Sequence, residues 1–129
     1  MTTPHFAFTK LVVADLDKSA AFYESVFALT VQARIEAVIT GRPITEIVYK
    51  TTGKGGGNFI LLAFHDAPTP AAGEGIIGFV TDEIDALVTR VATAGGAVLQ
   101  AAADSPQHGI RVAFVADPEG HMIELLQPL

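Results

Sequence analysis

The chain has 129 residues, the size of one ordinary domain, and a formal net charge of −6 with no Lys/Arg cluster. It therefore lacks the basic face that neutralises phosphates, and nucleic acid is not an expected partner. Half of the residues are hydrophobic and only 17% are charged, which allows a large aliphatic core and leaves apolar surface for self-association.

The absence of cysteine excludes disulfides, thiolate catalysis and cysteine-ligated zinc. No run approaches the roughly 20 apolar residues of a membrane span, and MTTPHFAFTK has no signal-peptide core. A cytoplasmic protein without a membrane partner is the expectation.

In chain order, His5 to Val13 reads as a strand, rich in β-branched and aromatic residues. Asp15 and Asp17 offer helix-capping oxygens ahead of a helix over about Lys18 to Phe27. Leu29 to Ile35 is extended, Gly41 to Pro43 marks a turn, and Thr45 to Thr51 is a strand. The glycines of TGKGGGN (52–58) form a hairpin loop into the strand Asn58 to Phe64. They are no phosphate loop, which would need G-x-x-x-x-G-K-[ST] between a strand and a helix. A Pro/Ala/Gly linker covers Ala67 to Gly75, and then the order recurs. Ile76 to Val80 is a strand, Asp82 is placed to cap a helix over about Ile84 to Ala94, and Gly95-Gly96 stops it. Ala97 to Gln100 is extended, Ser105 to Gly109 a loop, Ile110 to Val115 a strand, DPEG (117–120) a turn, and His121 to Leu126 the last strand.

This is strand–helix–three strands, twice. Phe8 and Ile76 fall at matching places 68 positions apart, and Leu61 and Glu124 are matched at a spacing of 63. The expected fold is α+β: two βαβββ modules, about 1–66 and 73–129, within one domain spanning 1–129. Each has a helix on the outer sheet face, and the two open faces together form a cup.

The stretches LVVADLDKSAAFYESVFAL (11–29), DEIDALVTRVATAGGAV (82–98) and VAFVADPEGHMIELLQ (112–127) point to a family. They resemble the vicinal oxygen chelate superfamily, the glyoxalase, bleomycin-resistance and dioxygenase group, whose signature ending is F-x-x-D-P-x-G-x-x-I-E-L. Ala28 departs from that pattern, which often has Gly there, and implies a mild change in helix exit. The resemblance implies paired modules around a cup and a homodimer. In the metal-dependent members it implies four strand positions that ligate a divalent ion. Carried onto this chain those positions are Phe8, Leu61, Ile76 and Glu124, and only the last can ligate. A catalytic ion needs about three protein donors. No metal and no other cofactor is therefore expected.

Alternation places Met122, Glu124 and Leu126 on one face of the last strand and Ile123 and Leu125 on the other, beneath the helix. A cup-facing Glu124 among apolar neighbours suits a general base, or it is an inherited position paired to a nearby cation. Lys10 shares parity with Phe6 and Phe8 and would bind an anionic or carbonyl oxygen, unless it is a rim lysine. Phe6, Phe8, Phe59, Leu61, Ile76, Phe114 and Met122 are the expected cup lining for a small apolar or aromatic ligand; the rival is a closed core of the same residues. His108 would act as a polar lid residue or lie in a solvated loop. His65 shares the parity of Leu61, His5 has the wrong parity for the cup, and His121 reads as a turn residue.

Three functions remain open on these residues. The first is a metal-independent isomerase, epimerase or lyase using Glu124. The second is a binding protein that sequesters its ligand. The third is a metal-dependent lyase or dioxygenase with ligands relocated to His5, His65 and Glu124.

Overall fold

A computed structural model describes residues 6–66 and 71–129. The chain divides into two compact units, 1–70 and 71–129. Each is an α+β module of one helix on one four-stranded mixed sheet, and neither sheet closes.

In the first module β1 (Phe8–Val12) leads into α1 (Leu16–Phe27), followed by β2 (Val31–Ile39), β3 (Arg42–Tyr49) and β4 (Asn58–Phe64). The sheet order is β1-β4-β3-β2, with β1 parallel to β4 and the other pairs antiparallel. The second module repeats this with β5 (Ile76–Val80), α2 (Ile84–Thr93), β6 (Ala97–Ser105), a 3-10 turn (Pro106–His108), β7 (Ile110–Ala116) and β8 (Met122–Pro128). Its order is β5-β8-β7-β6. The sequence places the β2–β3 turn at Gly41 to Pro43, but the strands run on to Ile39 and begin again at Arg42. Thr40 and Gly41 both take positive φ, 50° and 79°. That pair of conformations makes a two-residue hairpin with the twist of the flanking strands, so only two residues leave the ladder.

Each helix buries one face. In α1, Leu16, Ala20, Tyr23 and Val26 recur at helical spacing and are buried. The Tyr23 ring lies 5.0 Å from that of Phe59 on β4, and the Tyr49 hydroxyl on β3 donates to Glu24 Oε2 at 2.9 Å. In α2, Ile84, Leu87 and Val91 are buried, as are Ala113, Val115, Ile123 and Leu125 of β7 and β8. Each fully buried aliphatic side chain of this kind is worth about 1.5–3 kcal/mol.

The helix ends show what the local sequence leaves to the sheet. Asp15 caps α1, its Oδ1 accepting from the Lys18 amide at 3.1 Å. Asp82 does not cap α2: Glu83 stands at the N-cap position without a side-chain cap bond. The Ile84 amide instead donates to Gln127 Oε1 of β8 at 2.8 Å, and the Glu83 amide to Thr81 Oγ1 at 3.1 Å. Ala28 ends α1 in the left-handed conformation, φ 53° and ψ 35°. The helix exit is therefore the one a glycine would make, held by an alanine at a cost of about 1–2 kcal/mol. Among the described residues no helix is long and apolar enough to cross a membrane.

Two stability measurements follow. Ala28→Gly should raise the free energy of unfolding by about 1 kcal/mol, less than the full strain because glycine gains entropy in the unfolded chain; a lower denaturant midpoint would show that the exit is not strained. Burial, reinforced by the hydrogen bond and charge of Glu24, pushes the Tyr49 phenol above its ordinary range. A raised folded pKa means that the native state keeps a proton which the unfolded chain loses above about pH 10, so this contribution is intact below pH 10 and declines above it. Between pH 8 and 11 the protein should lose about 1 kcal/mol more than Tyr49→Phe does, measured by urea unfolding. Equal losses would place the phenol in contact with solvent.

Candidate functional site

The face of each sheet turned away from its helix is packed by no helix of its own module: on the first sheet Ile44, Ile60 and Leu62 of that face are buried all the same, whereas on the second Ile76, Phe114, Met122 and Glu124 are half-buried or exposed. On the second sheet that face carries Ile76 and Val80 from β5, Val112 and Phe114 from β7, and Met122, Glu124 and Leu126 from β8. Ile123 and Leu125, the alternate residues of β8, are fully buried on the α2 side. Glu124 lies between Gly78 on one neighbouring strand and Phe114 on the other. Its side chain is half-buried and has no hydrogen-bond or ion-pair partner among the described residues. It is the one charged group that the strands place on this face among the described residues.

On the first sheet the helix-free face carries Phe8, Lys10 and Val12 from β1, Ile44, Glu46 and Val48 from β3, and Ile60, Leu62 and Phe64 from β4. Lys10 Nζ lies 2.9 Å from Glu46 Oε2 and 5.5 Å from the centre of the Phe8 ring. The lysine side chain is 30% exposed and the glutamate 11%. Sequence reading missed Glu46. The signal was present in ITEIVY (44–49), where Ile44, Glu46 and Val48 share one parity and the acid is the exception in an apolar row.

The ladders correct two expected lining residues. Phe8 pairs with Asn58, and Ile76 with Met122, at the start of corresponding parallel ladders. The modules therefore match at 64 positions in their last strands, and Glu124 corresponds to Ile60, with Leu61 matching Leu125. Leu61 is fully buried on the α1 side. Phe59 shares that side, its ring 5.0 Å from Tyr23 and 6.2 Å from Tyr49. A shift of one residue in a period of two moves a strand's whole set of side chains to the opposite face. Phe8, Ile76, Phe114 and Met122 do stand on helix-free faces, with Phe8 48% and Ile76 60% exposed. Phe6 precedes β1 and is exposed.

The histidines do not converge. His65 Nε2 is 2.6 Å from Thr45 Oγ1, beside a cleft of about 400 Å³ on the α1 side that Asp15, Asp17 and Arg34 also line. His108 sits in the 3-10 turn with Nδ1 3.1 Å from Ser105 Oγ. His121 follows the DPEG turn, its amide donating to Asp117 Oδ1 at 2.9 Å. His5 lies outside the described residues. No group of three His, Asp or Glu side chains suited to a metal ion occurs among the described residues.

The comparisons match this architecture. The model of the Glyoxalase/Bleomycin resistance protein/Dioxygenase superfamily matches residues 3–125. The chain belongs to that superfamily. A probable lactoylglutathione lyase of Vibrio parahaemolyticus is 30% identical over 130 residues, covering 98% of this chain and 93% of the relative. A glyoxalase family protein from Bacillus cereus superposes with a TM-score of 0.85 at 19% identity, over 100% of this chain and 97% of that one. A glyoxalase-related enzyme from Fulvimarina pelagi gives a TM-score of 0.69 at 27% identity, covering 97% and 88%.

The divalent ion of the superfamily's metal-dependent members does not fit the residues present. With the register corrected, the four ligand positions hold Phe8, Ile60, Ile76 and Glu124, and three of these are hydrocarbon. One carboxylate does not hold a catalytic ion.

The face assignment is open to a direct check. Phe59→Ala should cost roughly 2–4 kcal/mol of stability, because it empties the aromatic cluster with Tyr23 and Tyr49. A loss below about 0.5 kcal/mol in chemical denaturation would put Phe59 on the other face.

Proposed function

We propose that this protein binds a small organic molecule with an apolar or aromatic body on the helix-free faces of its sheets, and that Glu124 moves a proton next to a carbonyl group without the help of a metal ion. The observation that carries this reading is the isolation of Glu124. It is a carboxylate without a protein partner among the described residues, set among Ile76, Phe114, Met122 and Leu126 on an otherwise uncharged sheet face. A carboxylate in such a setting is a ready acceptor for a carbon-bound proton. Isomerisation, epimerisation and lyase chemistry all use that step. Lys10, on the helix-free face of the first module, is by itself a cation able to meet a carbonyl or anionic oxygen of a ligand there. Backbone N–H groups are a further source of oxyanion stabilisation.

The relative named as a probable lactoylglutathione lyase supports a reaction at a carbon beside a carbonyl group. The hydrocarbon side chains at Phe8, Ile60 and Ile76 support the metal-independent form. Those same side chains favour a second reading, in which the protein sequesters its ligand unchanged. They also weigh against relocated metal ligands, as does the bond between His65 and Thr45 on the helix side. A homodimer in the cytoplasm belongs to the same proposal, supported by the exposure of Phe6, Phe8, Ile76 and Val80.

The test is exchange of carbon-bound protons with D2O, followed by NMR. The substrates are a panel of α-hydroxy and α-keto carbonyl compounds, including lactoylglutathione, with EDTA present throughout. Exchange should proceed in EDTA and fall at least about 100-fold in Glu124→Gln. An unchanged rate in that variant removes Glu124 from the chemistry. Activity that appears only after adding zinc, nickel, iron or manganese overturns metal independence. Tight binding with no exchange selects the sequestering reading.

A further inference from the structure

The first sheet carries an ion pair that its fold does not require. The two modules build the same ladders, so their corresponding positions can be compared directly. Lys10 lies opposite Ile60 and corresponds to Gly78, which lies opposite Glu124. Glu46 lies opposite Leu62 and corresponds to Val112, opposite Leu126. The second module thus forms this part of the sheet with a glycine and a valine. A lysine–glutamate pair at the same places in the first module is no architectural necessity. Nor does it compare well with hydrocarbon in energy, because taking charges out of water offsets most of the attraction between them.

The geometry gives the pair a direction. Glu46 is the covered partner, 11% exposed, and Lys10 is the accessible one at 30%. Glu46 Oε2 is itself shut off from solvent and makes no aligned hydrogen bond, so Lys10 is held to it by charge at 2.9 Å. Lys10 lies opposite Ile60 in the ladder, and its ammonium is 5.5 Å from the centre of the Phe8 ring. An ammonium group has three N–H donors, and apart from Glu46 no acceptor for them occurs among the described residues. The result is a dipole on an apolar sheet, with its positive end outward and an aromatic ring next to it.

We infer that Lys10 recognises a carboxylate on the ligand and that Glu46 is a positioning residue, holding the ammonium in place for it. The ligand class is an organic carboxylate with an aromatic or aliphatic body: Phe8 meets the body and Lys10 the charge. This rests on the proposed reading that the helix-free faces bind the ligand, and it adds the group recognised there. An ammonium held in place before binding loses less entropy on meeting its partner than a free lysine does.

The experiment is fluorescence titration of the full chain with two probes of the same shape, 2-naphthoate and the neutral 2-naphthamide. The wild type should bind 2-naphthoate about tenfold more tightly, the worth of one charge-assisted hydrogen bond. In Lys10→Met, which keeps the apolar stem, the ratio of the two affinities should fall to about one. Glu46→Leu separates positioning from charge. Removing a negative charge would by Coulomb's law strengthen carboxylate binding, whereas releasing the lysine should lower the ratio about threefold. Glu46→Gln retains an acceptor for the ammonium and should restore most of the ratio.

A wild-type ratio near one overturns carboxylate recognition and leaves small-molecule binding standing. A ratio unchanged in Lys10→Met removes Lys10 from the site. A higher ratio in Glu46→Leu, or no rescue in Glu46→Gln, overturns the positioning role. Failure of both probes to bind counts against the proposed function itself. Circular dichroism of each variant distinguishes a lost site from a lost fold.

Discussion

A helix lying across one face of a four-stranded sheet divides every strand into two sets of side chains, and the rest of this molecule depends on that division. Tyr23 against Phe59, and Leu87 and Val91 on the α2 side with Ile123 and Leu125, commit one parity of the central strands to burial. The other parity carries no helix of its own module, although Ile44, Ile60 and Leu62 on it are buried as well. Because the side-chain period of a strand is two, no residue can serve both purposes. The charged residues Lys10, Glu46 and Glu124 all fall on the parity opposite the helix.

Within that constraint the two modules are one plan used with different contents. The ladders are the same while the helix-free positions diverge: Lys10 against Gly78, Glu46 against Val112, Ile60 against Glu124. Other helix-free positions are the same in both modules, Val12 with Val80 and Leu62 with Leu126, and covered positions both agree and differ, as Tyr49 against Val115 shows. Leu61 and Leu125 correspond, and both are fully buried aliphatic residues. A buried position must match its neighbours in volume and polarity. The helix-free positions face no such demand from their own helix. Three of the four positions that the superfamily's metal-dependent members use for ligands hold hydrocarbon, and both sheets keep the same ladders.

Ala28 and Gln127 show the same tertiary influence at the helix ends. Ala28 keeps a left-handed exit that its own side chain opposes, because β2 must start where the sheet places it. Gln127 reaches from the last strand to satisfy the first amide of α2. Local preference names Gly at the first place and Asp82 at the second. In both cases the position of a neighbouring strand outweighs about 1 kcal/mol of local preference.

The sequence by itself determined the order of elements, the repeat and the family, because hydrophobic periodicity, turn residues and the DPEG ending are local signals. It also determined the parity of β8, where Ile123 and Leu125 against Met122 and Glu124 read unambiguously. It could not determine the parity of β4. FILLAF is apolar at every position, so Phe59 and Leu61 carry no mark of the face they occupy, and a spacing of 63 looked as good as the true 64. Only hydrogen-bonded register with β1 and β3, and the ring of Tyr23 above, decided it. The pairing of Lys10 with Glu46 was hidden for the same reason. The two residues are 36 positions apart on strands that are not neighbours, with β4 between them, and only the order of strands brings their charges together.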